Sequence, residues 1–186
     1  MHGPIRNFEL DLSFTGIPET SISPAVDKKT KSLLTKATAW NGSLKKWLLT
    51  IRNDLNFFCP KVVRIAPEIS LGLQFTDDDT IAKLNSIWRK KSEVTDVLSF
   101  PVLEKDIILA NNQCLELGDI VLSVPTAEKQ AMEHSHGLEQ ELRWLVSHGL
   151  LHLLGWDHPN KFRLKEMLNA QEQLLRINGM FYSPKT

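Results

Sequence analysis

The sequence predicts an α+β domain in which one small mixed sheet of four strands is covered by helices. Four segments have the period or composition of strands, and the longest amphipathic helices follow the last of them. One or two further helices are interleaved among the strands. The 186 residues suffice for a sizeable core, and 42% are hydrophobic, which excludes a wholly disordered chain. We therefore expect residues 1–186 to form one domain.

The first half of the chain alternates predicted strands and helices. Apolar and polar residues alternate over 6–14 and over 69–75, which is the period of a half-buried strand. Apolar residues recur at three- and four-residue steps over 40–57, which predicts an amphipathic helix. The intervening stretch 15–39 has no clear period and is rich in Thr, Ser, Lys and Pro near its start. We predict a loop or an insertion there.

The second half contains the remaining strands and most of the helices. Three acids at 77–79 precede apolar positions at helical spacing and predict the start of a helix over 77–88. Strands are predicted at 94–100, closed by Pro101, and at 118–122, with a variable loop over 103–116 between them. Helices are then predicted at about 125–135, 138–155 and 160–177.

Composition excludes several classes of protein. The chain has 22 basic and 22 acidic side chains, so its overall charge gives no argument for nucleic-acid or membrane binding, although a local patch can serve either. Cys59 and Cys114 are isolated, which predicts two reduced thiols rather than a disulfide framework. No apolar run approaches the roughly 18 residues of a membrane span, and the start lacks the apolar stretch of a signal peptide. We expect a soluble, cytoplasmic protein.

Three histidines near the end of one predicted helix are the strongest functional signal. His148 and His152 are four positions apart, so they share a helical face about 6 Å apart along the axis. His158 cannot join them in a continuous helix. Gly155 can adopt the left-handed conformation that ends a helix, and Pro159 prevents helical continuation. We therefore predict a turn at 155–157 that returns His158 to the other two.

These residues favour a catalytic metal site. Three imidazoles suit a borderline divalent ion, for which we predict one Zn²⁺, and three protein ligands leave a fourth position open for water. Unpaired imidazoles would be costly on a helix that is otherwise apolar. His134 and His136 lie outside this pattern and are predicted to be surface or helix-end histidines.

The spacing of the three histidines also matches that of metzincin proteases. In those enzymes a glutamate directly after the first histidine is the general base, but Gly149 has that position here. Peptidase chemistry would need another acid, such as Asp157 or a remote carboxylate. A zinc peptidase is therefore the second hypothesis rather than the first.

Four blocks of sequence, in order along the chain, together resemble the YbeY family of metal-dependent endoribonucleases. They are Asn85 with Trp88-Arg89, the TDVLSFP segment at 95–101, the LGDI segment at 117–120, and the HGLLHLLGWDH segment at 148–158. The resemblance covers about residues 69–177. It departs from the family pattern at Trp156, where tyrosine is common, and in the longer stretch before residue 40.

The resemblance implies a function. Family members are single-strand-specific endoribonucleases that act in maturation of the 3′ end of 16S ribosomal RNA and in ribosome quality control. It implies that His148, His152 and His158 hold zinc, and that Arg89 and His148 are catalytic. It also implies three partners: single-stranded ribosomal RNA, the small ribosomal subunit and a GTPase of its assembly.

The residues near these positions agree with that chemistry. The planar fork of Arg89 can bind a phosphate with two parallel hydrogen bonds and stabilise charge on phosphorus. Lys90 and Lys91 follow it and are candidate RNA-binding residues, although without the resemblance residues 89–91 are better explained as a solvated helix end. Asp157 is a candidate to orient a ligand imidazole from behind.

The sequence leaves two questions open. The attacking group can be zinc-bound hydroxide or the RNA's own 2′-hydroxyl, since nothing in the sequence separates them. Besides the peptidase, the other alternative is a ribosome-assembly factor in which the metal only stabilises the fold.

Overall fold

The computed structural model describes residues 7–103 and 114–180. Over these ranges the chain forms four strands, seven α-helices and one short 3-10 turn at Glu19–Ser21. The strands are β1 (Glu9–Thr15), β2 (Glu68–Thr76), β3 (Val97–Pro101) and β4 (Cys114–Ser123). The helices are α1 (Lys28–Thr35), α2 (Ala37–Asn53), α3 (Lys61–Ile65), α4 (Asp78–Arg89), α5 (Val124–Glu133), α6 (Leu138–Leu153) and α7 (Lys161–Ile177).

The strands form one mixed sheet with the order β1-β2-β4-β3. β1, β2 and β4 are parallel, and β3 runs antiparallel to β4 at one end of the sheet. The predicted α+β class with a four-stranded mixed sheet is confirmed. The strand order could not be predicted from the sequence, and it matters because it places β3 at an edge.

The core lies between the sheet and helices α2, α6 and α7. α2 contacts β1, while α6 contacts both β3 and β4. α7 packs against α6 and α2. Trp40 and Trp47 of α2 are fully buried, and their indole N–H groups donate to the carbonyls of Leu33 and Leu174 at 2.8 and 2.7 Å. Because these bonds satisfy the only polar atoms of the two rings, the large apolar surfaces can be buried without penalty.

The expectation of a loop over 15–39 is wrong for part of that stretch. α1 lies within it, and α2 begins at Ala37. Asp27 caps α1 by accepting hydrogen bonds from the backbone N–H groups of Lys29 and Thr30 at 2.9 and 3.0 Å. Two adjacent leucines at 33–34 are fully buried, and α1 contacts α2 and α6. Two neighbouring apolar residues produce no helical period, so tertiary packing decides this segment.

Other predicted elements are present with shifted ends. The helix expected over 40–57 is 37–53, the strand expected over 94–100 is 97–101, and the helix expected over 138–155 ends at Leu153. β4 begins earlier than predicted, and α3 was not predicted at all. Arg6 and most of the predicted 103–116 loop lie outside the described residues. No helix among the described residues is both long and apolar enough to cross a bilayer.

Candidate metal centre

The C-terminal end of α6 brings His148, His152 and His158 together. The helix ends at Leu153, and Gly155 has a left-handed φ of +88°. The backbone N–H groups of Gly155 and Trp156 donate back to the carbonyls of His152 and Leu151, both at 3.0 Å, which turns the chain sharply. The turn predicted at 155–157 is thus present.

The three imidazoles face one point. The ring of His158 lies 5.5 Å from that of His148 and 5.2 Å from that of His152, measured between centroids. One ring nitrogen from each residue lies within 4.8 Å of the others. All three side chains are partly buried. A single ion can therefore contact all three rings.

Hydrogen bonds fix which nitrogen of His148 carries a proton. The amide nitrogen of Gln171 donates to the carbonyl of Trp144 at 3.2 Å, so its oxygen must face the other way. That oxygen lies 3.1 Å from Nδ1 of His148. Because an amide oxygen only accepts, Nδ1 of His148 is the donor and Nε2 carries the lone pair.

His152 is oriented in the same sense by the main chain. Its Nδ1 lies 2.8 Å from the carbonyl oxygen of Trp156, which can only accept. Nε2 of His152 therefore also carries a lone pair. The two Nε2 atoms lie 3.0 Å apart. Two lone pairs at that distance repel each other unless a cation lies between them.

Burial disfavours the protonated form of two of these imidazoles. Burial lowers the pKa of His148, and it lowers the pKa of His152 to about 4, with the nearby His148 as the next cause. Both imidazoles are thus neutral near pH 7, as metal ligands must be. Two nitrogens bound to one tetrahedral zinc at about 2.05 Å lie about 3.3 Å apart, close to the observed separation. The residues present fit a zinc ion.

Arg89 is connected to this centre through β3. It ends α4 on the surface, and its Nη2 donates to the carbonyl oxygen of Ser99 at 3.4 Å. The hydroxyl of Ser99 in turn donates to the carbonyl of Gly149 at 3.4 Å. Gly149 is the residue directly after His148. The sequence predicted both Arg89 and His148 as site residues, and two hydrogen bonds link the segments that carry them.

The candidate RNA-binding lysines differ in position. Lys90 adopts a left-handed φ of 60° at the end of α4, and its ammonium donates to the carbonyl of Ile87 at 3.1 Å. It therefore neutralises the negative end of its own helix. Lys91 is exposed beside it. Their role toward RNA stays a prediction.

Asp157 contacts the main chain of His158 rather than an imidazole. Its Oδ1 accepts the backbone N–H of His158 at 2.8 Å, which holds the turn that returns His158 to the site. The groups that orient ligand rings are Gln171 and the carbonyl of Trp156. Gln171 was not predicted from the sequence, although a glutamine three positions before Leu174 and four after Met167, within the apolar stripe of α7, was a usable signal. The structure shows it fully buried.

A second group of possible ligands lies at the start of α6. His134, His136 and Glu141 have ligand atoms within 4.8 Å of one another. Glu141 is buried, and its carboxylate contacts the rings of both histidines, with His134 at 3.4 Å. A buried carboxylate needs hydrogen-bond donors, so these contacts are sufficient to explain the group without an ion.

Gly149 of α6 packs directly against β4 of the sheet. A Cβ atom at this position would lie 2.7 Å from Cγ2 of Ile120 in β4. Any side chain here requires Ile120 or α6 to shift, so the glutamate of the metzincin pattern is disfavoured at this position.

The edge strand is poorly suited to bind a peptide. The N–H of Ser123 donates to the carbonyl of Asp96 at 2.9 Å, and hydrogen-bonded pairs alternate along the antiparallel β3 and β4. The carbonyl of Ser99 therefore points away from β4, toward the free edge. Arg89 already occupies it. An added peptide strand would have to displace that guanidinium.

Comparison with known proteins identifies the family. The family model described as Endoribonuclease YbeY matches residues 33–179. A protein named Endoribonuclease YbeY from Prochlorococcus marinus (strain MIT 9313) is 55% identical over 173 residues, which are 93% of this chain and 92% of that protein. Another of the same name from Synechococcus sp. (strain CC9311) is 51% identical over 170 residues, 91% of this chain and 96% of that one.

A solved structure supports the fold alone. The solution structure of TM1509 from Thermotoga maritima is 22% identical and superposes with a TM-score of 0.51, covering 91% of this chain and 92% of that protein. The four sequence blocks, the matched family model and the two close relatives agree with one another. The chain belongs to the YbeY endoribonuclease family.

Proposed function

We propose that this chain is a zinc-dependent endoribonuclease that cleaves single-stranded RNA. The observation that carries the proposal is the convergence of two lone-pair nitrogens, Nε2 of His148 and of His152, on one point beside His158. His148, His152 and His158 would hold the ion. When bound, zinc supplies a Lewis acid beside the phosphate.

The chain's own residues position the phosphate and exclude competing strands. Nη2 of Arg89 is held by the carbonyl of Ser99, which leaves the other N–H groups of the fork available to phosphate oxygens. The hydroxyl of Ser99 also donates a hydrogen bond to the carbonyl of Gly149, the residue after His148. Through Ser99, the guanidinium of Arg89 is therefore connected to the segment that carries His148. Preorganised positive charge of this kind stabilises charge that develops on the phosphate.

We further propose that the natural substrate is the 3′ region of 16S ribosomal RNA in the small subunit, with an assembly GTPase as partner and a role in ribosome quality control. Membership of the family supports this part of the proposal. Mapping of 16S 3′ ends in cells depleted of the protein tests it, and normal ends would overturn it.

A cleavage assay tests the biochemical part. Zinc-loaded protein is incubated with an end-labelled single-stranded RNA, with the same RNA annealed to its complement, and with an unstructured peptide. We expect cleavage of the single strand alone. Arg89→Ala should reduce the rate strongly, whereas Arg176→Ala, an exposed arginine on α7 paired with Glu172, should not. Peptide cleavage that a chelator blocks would favour the peptidase.

The products also identify the nucleophile. Attack by the 2′-hydroxyl leaves a 2′,3′-cyclic phosphate, whereas attack by water leaves a terminal phosphate monoester. If RNA is not cleaved but metal-free protein binds small subunits as well as zinc-loaded protein does, the chain is an assembly factor and the nuclease proposal is wrong.

A further inference from the structure

Trp88 is unusually exposed for a tryptophan. It lies in the last turn of α4, and 66% of its surface is accessible. The chain has five tryptophans: Trp40 and Trp47 are fully buried, and Trp144 and Trp156 are partly buried. An indole left in water gains nothing for folding. Its exposure leaves most of the ring accessible to a ligand with an aromatic or apolar face.

The ring of Trp88 is held in place although it is exposed. It contacts Phe100 of β3 edge to face, with centroids 5.9 Å apart and planes at 69°. In this arrangement the edge of one ring meets the face of the other. Trp88 is thus an exposed aromatic platform that packs against the edge strand β3, rather than a side chain without contacts.

The charges next to the ring favour a polyanion. Arg89, Lys90 and Lys91 directly follow Trp88 in the sequence. The first acidic residue after them is Glu93, so the segment carries a net positive charge. Exposed aromatic rings interleaved with cations are the usual means of binding single-stranded nucleic acid, because bases stack on the rings and phosphates contact the cations.

The platform is linked through β3 to the residue that Arg89 contacts. Because side chains alternate along a strand, Phe100 and Trp88 lie on the sheet face opposite to the one where Ser99 meets α6. Phe100, which supports the ring of Trp88, follows Ser99, whose two oxygen atoms bond to Arg89 and to the main chain beside His148. A nucleotide whose phosphate contacts Arg89 carries a base within the neighbourhood of Trp88. In a duplex that base is stacked and paired, so its face is not available to the indole.

We propose that Trp88 stacks on a nucleobase of the single-stranded RNA whose adjacent phosphate binds Arg89. The inference rests on the proposed function and names a base-binding subsite for it. It gives a physical reason for a preference for single strands, since only an unpaired base can leave its neighbours to cover the ring.

Binding measurements with a short labelled RNA test this inference on the zinc-loaded protein, by fluorescence anisotropy within the first seconds of mixing. Loss of one stacked base lowers affinity by about 5- to 150-fold. We expect Trp88→Leu to weaken binding by a factor in this range and Trp88→Phe to retain most of it. The control Ile177→Ala removes another exposed apolar side chain, at the far end of α7, and should not change affinity.

A base-deleted RNA separates stacking from other effects. Replacing one nucleotide at a time by an abasic site, which keeps its phosphate, should locate one position where Trp88→Leu no longer weakens binding. RNA should also quench the tryptophan fluorescence of the wild type, and this quenching should be lost in Trp88→Phe. Because Trp88 is exposed, none of these substitutions removes core packing.

The outcomes distinguish the inference from the proposed function. If wild type cleaves single-stranded RNA but Trp88→Leu binds it with wild-type affinity, the inference is wrong and the proposed function stands. If Trp88→Leu instead loses binding to small ribosomal subunits while its affinity for free RNA is unchanged, the ring contacts another feature of that particle and the inference is again wrong. If wild type neither binds nor cleaves RNA, both are wrong.

Discussion

Gln171 is expected to control metal affinity without touching the metal. Its side chain is fully buried in α7, and its Oε1 accepts the proton on Nδ1 of His148. Replacing it with leucine keeps a similar volume and removes the acceptor. The carbonyl of Trp144, which also loses a donor, still accepts the hydroxyl of Ser147 at 2.8 Å. The loss therefore falls on the His148 ring.

The magnitude follows from this single bond. Without its acceptor, the proton of His148 can move to Nε2, and the nitrogen that faces the metal then has no lone pair. Loss of a hydrogen-bond partner behind a metal ligand typically lowers affinity by 10- to 100-fold, or about 1.4–2.7 kcal/mol. We expect Gln171→Leu to weaken zinc binding by a factor in that range.

Competition with a chromogenic chelator at pH 7.5 measures this effect. Gln173→Leu is the matched control, since it makes the same change on the exposed side of the same helix. Urea unfolding of both metal-free variants shows whether folding itself has changed. Equal zinc affinity of Gln171→Leu and Gln173→Leu, in folded proteins, would refute the inferred role of Gln171 and the proton position assigned to His148.

Three further predictions concern single residues. Arg89→Ala should lower kcat on single-stranded RNA by about 10²–10³-fold with zinc content unchanged. Arg89→Lys should also stay well below the wild-type rate, because lysine lacks the paired donors of the guanidinium. Single-turnover rates check both variants, and a raised KM with unchanged kcat would assign Arg89 to RNA binding alone. The pKa of His152 is about 4 in the folded protein, below its ordinary 6.5. The metal-free protein should therefore keep its full stability above pH 6.5 and lose part of it as pH falls toward 4. Urea unfolding at pH 7.5 and 5 checks this, and equal unfolding free energies at the two pH values would contradict it. Gly149→Ala should destabilise the protein by about 1 kcal/mol, because the contact of the new Cβ with Ile120 outweighs the gain in helix propensity. Gly42→Ala, which has open space around it in α2, should be neutral or stabilising by up to about 1 kcal/mol. Equal unfolding free energies for the two variants would show that α6 can shift to accept the methyl group.

The cluster of candidate metal ligands was predictable because helix geometry alone determines most of their positions. Two of them lie on one helical face, and Gly155 and Pro159 signal the turn that returns the third. The whole motif occupies one short segment of chain. No long-range contact is needed to infer it.

The supporting contacts of the site were not predictable in the same way. Gln171 meets His148 across 23 residues of chain, and only the packing of α7 on α6 brings them together. The bond from Arg89 to Ser99 depends on β3 being an edge strand, and strand order cannot be read from hydrophobic period. The resemblance to a family could name Arg89, but not its partner.

Metal stoichiometry of three proteins tests the central claim most directly. Zinc bound per chain is measured after dialysis for wild type, His152→Ala and His134→Ala, the last removing an imidazole from the second group of possible ligands. We predict one zinc per chain in wild type and in His134→Ala, and almost none in His152→Ala. Equal zinc in wild type and His152→Ala, or loss of zinc in His134→Ala alone, would contradict the assignment of His148, His152 and His158 as the metal centre.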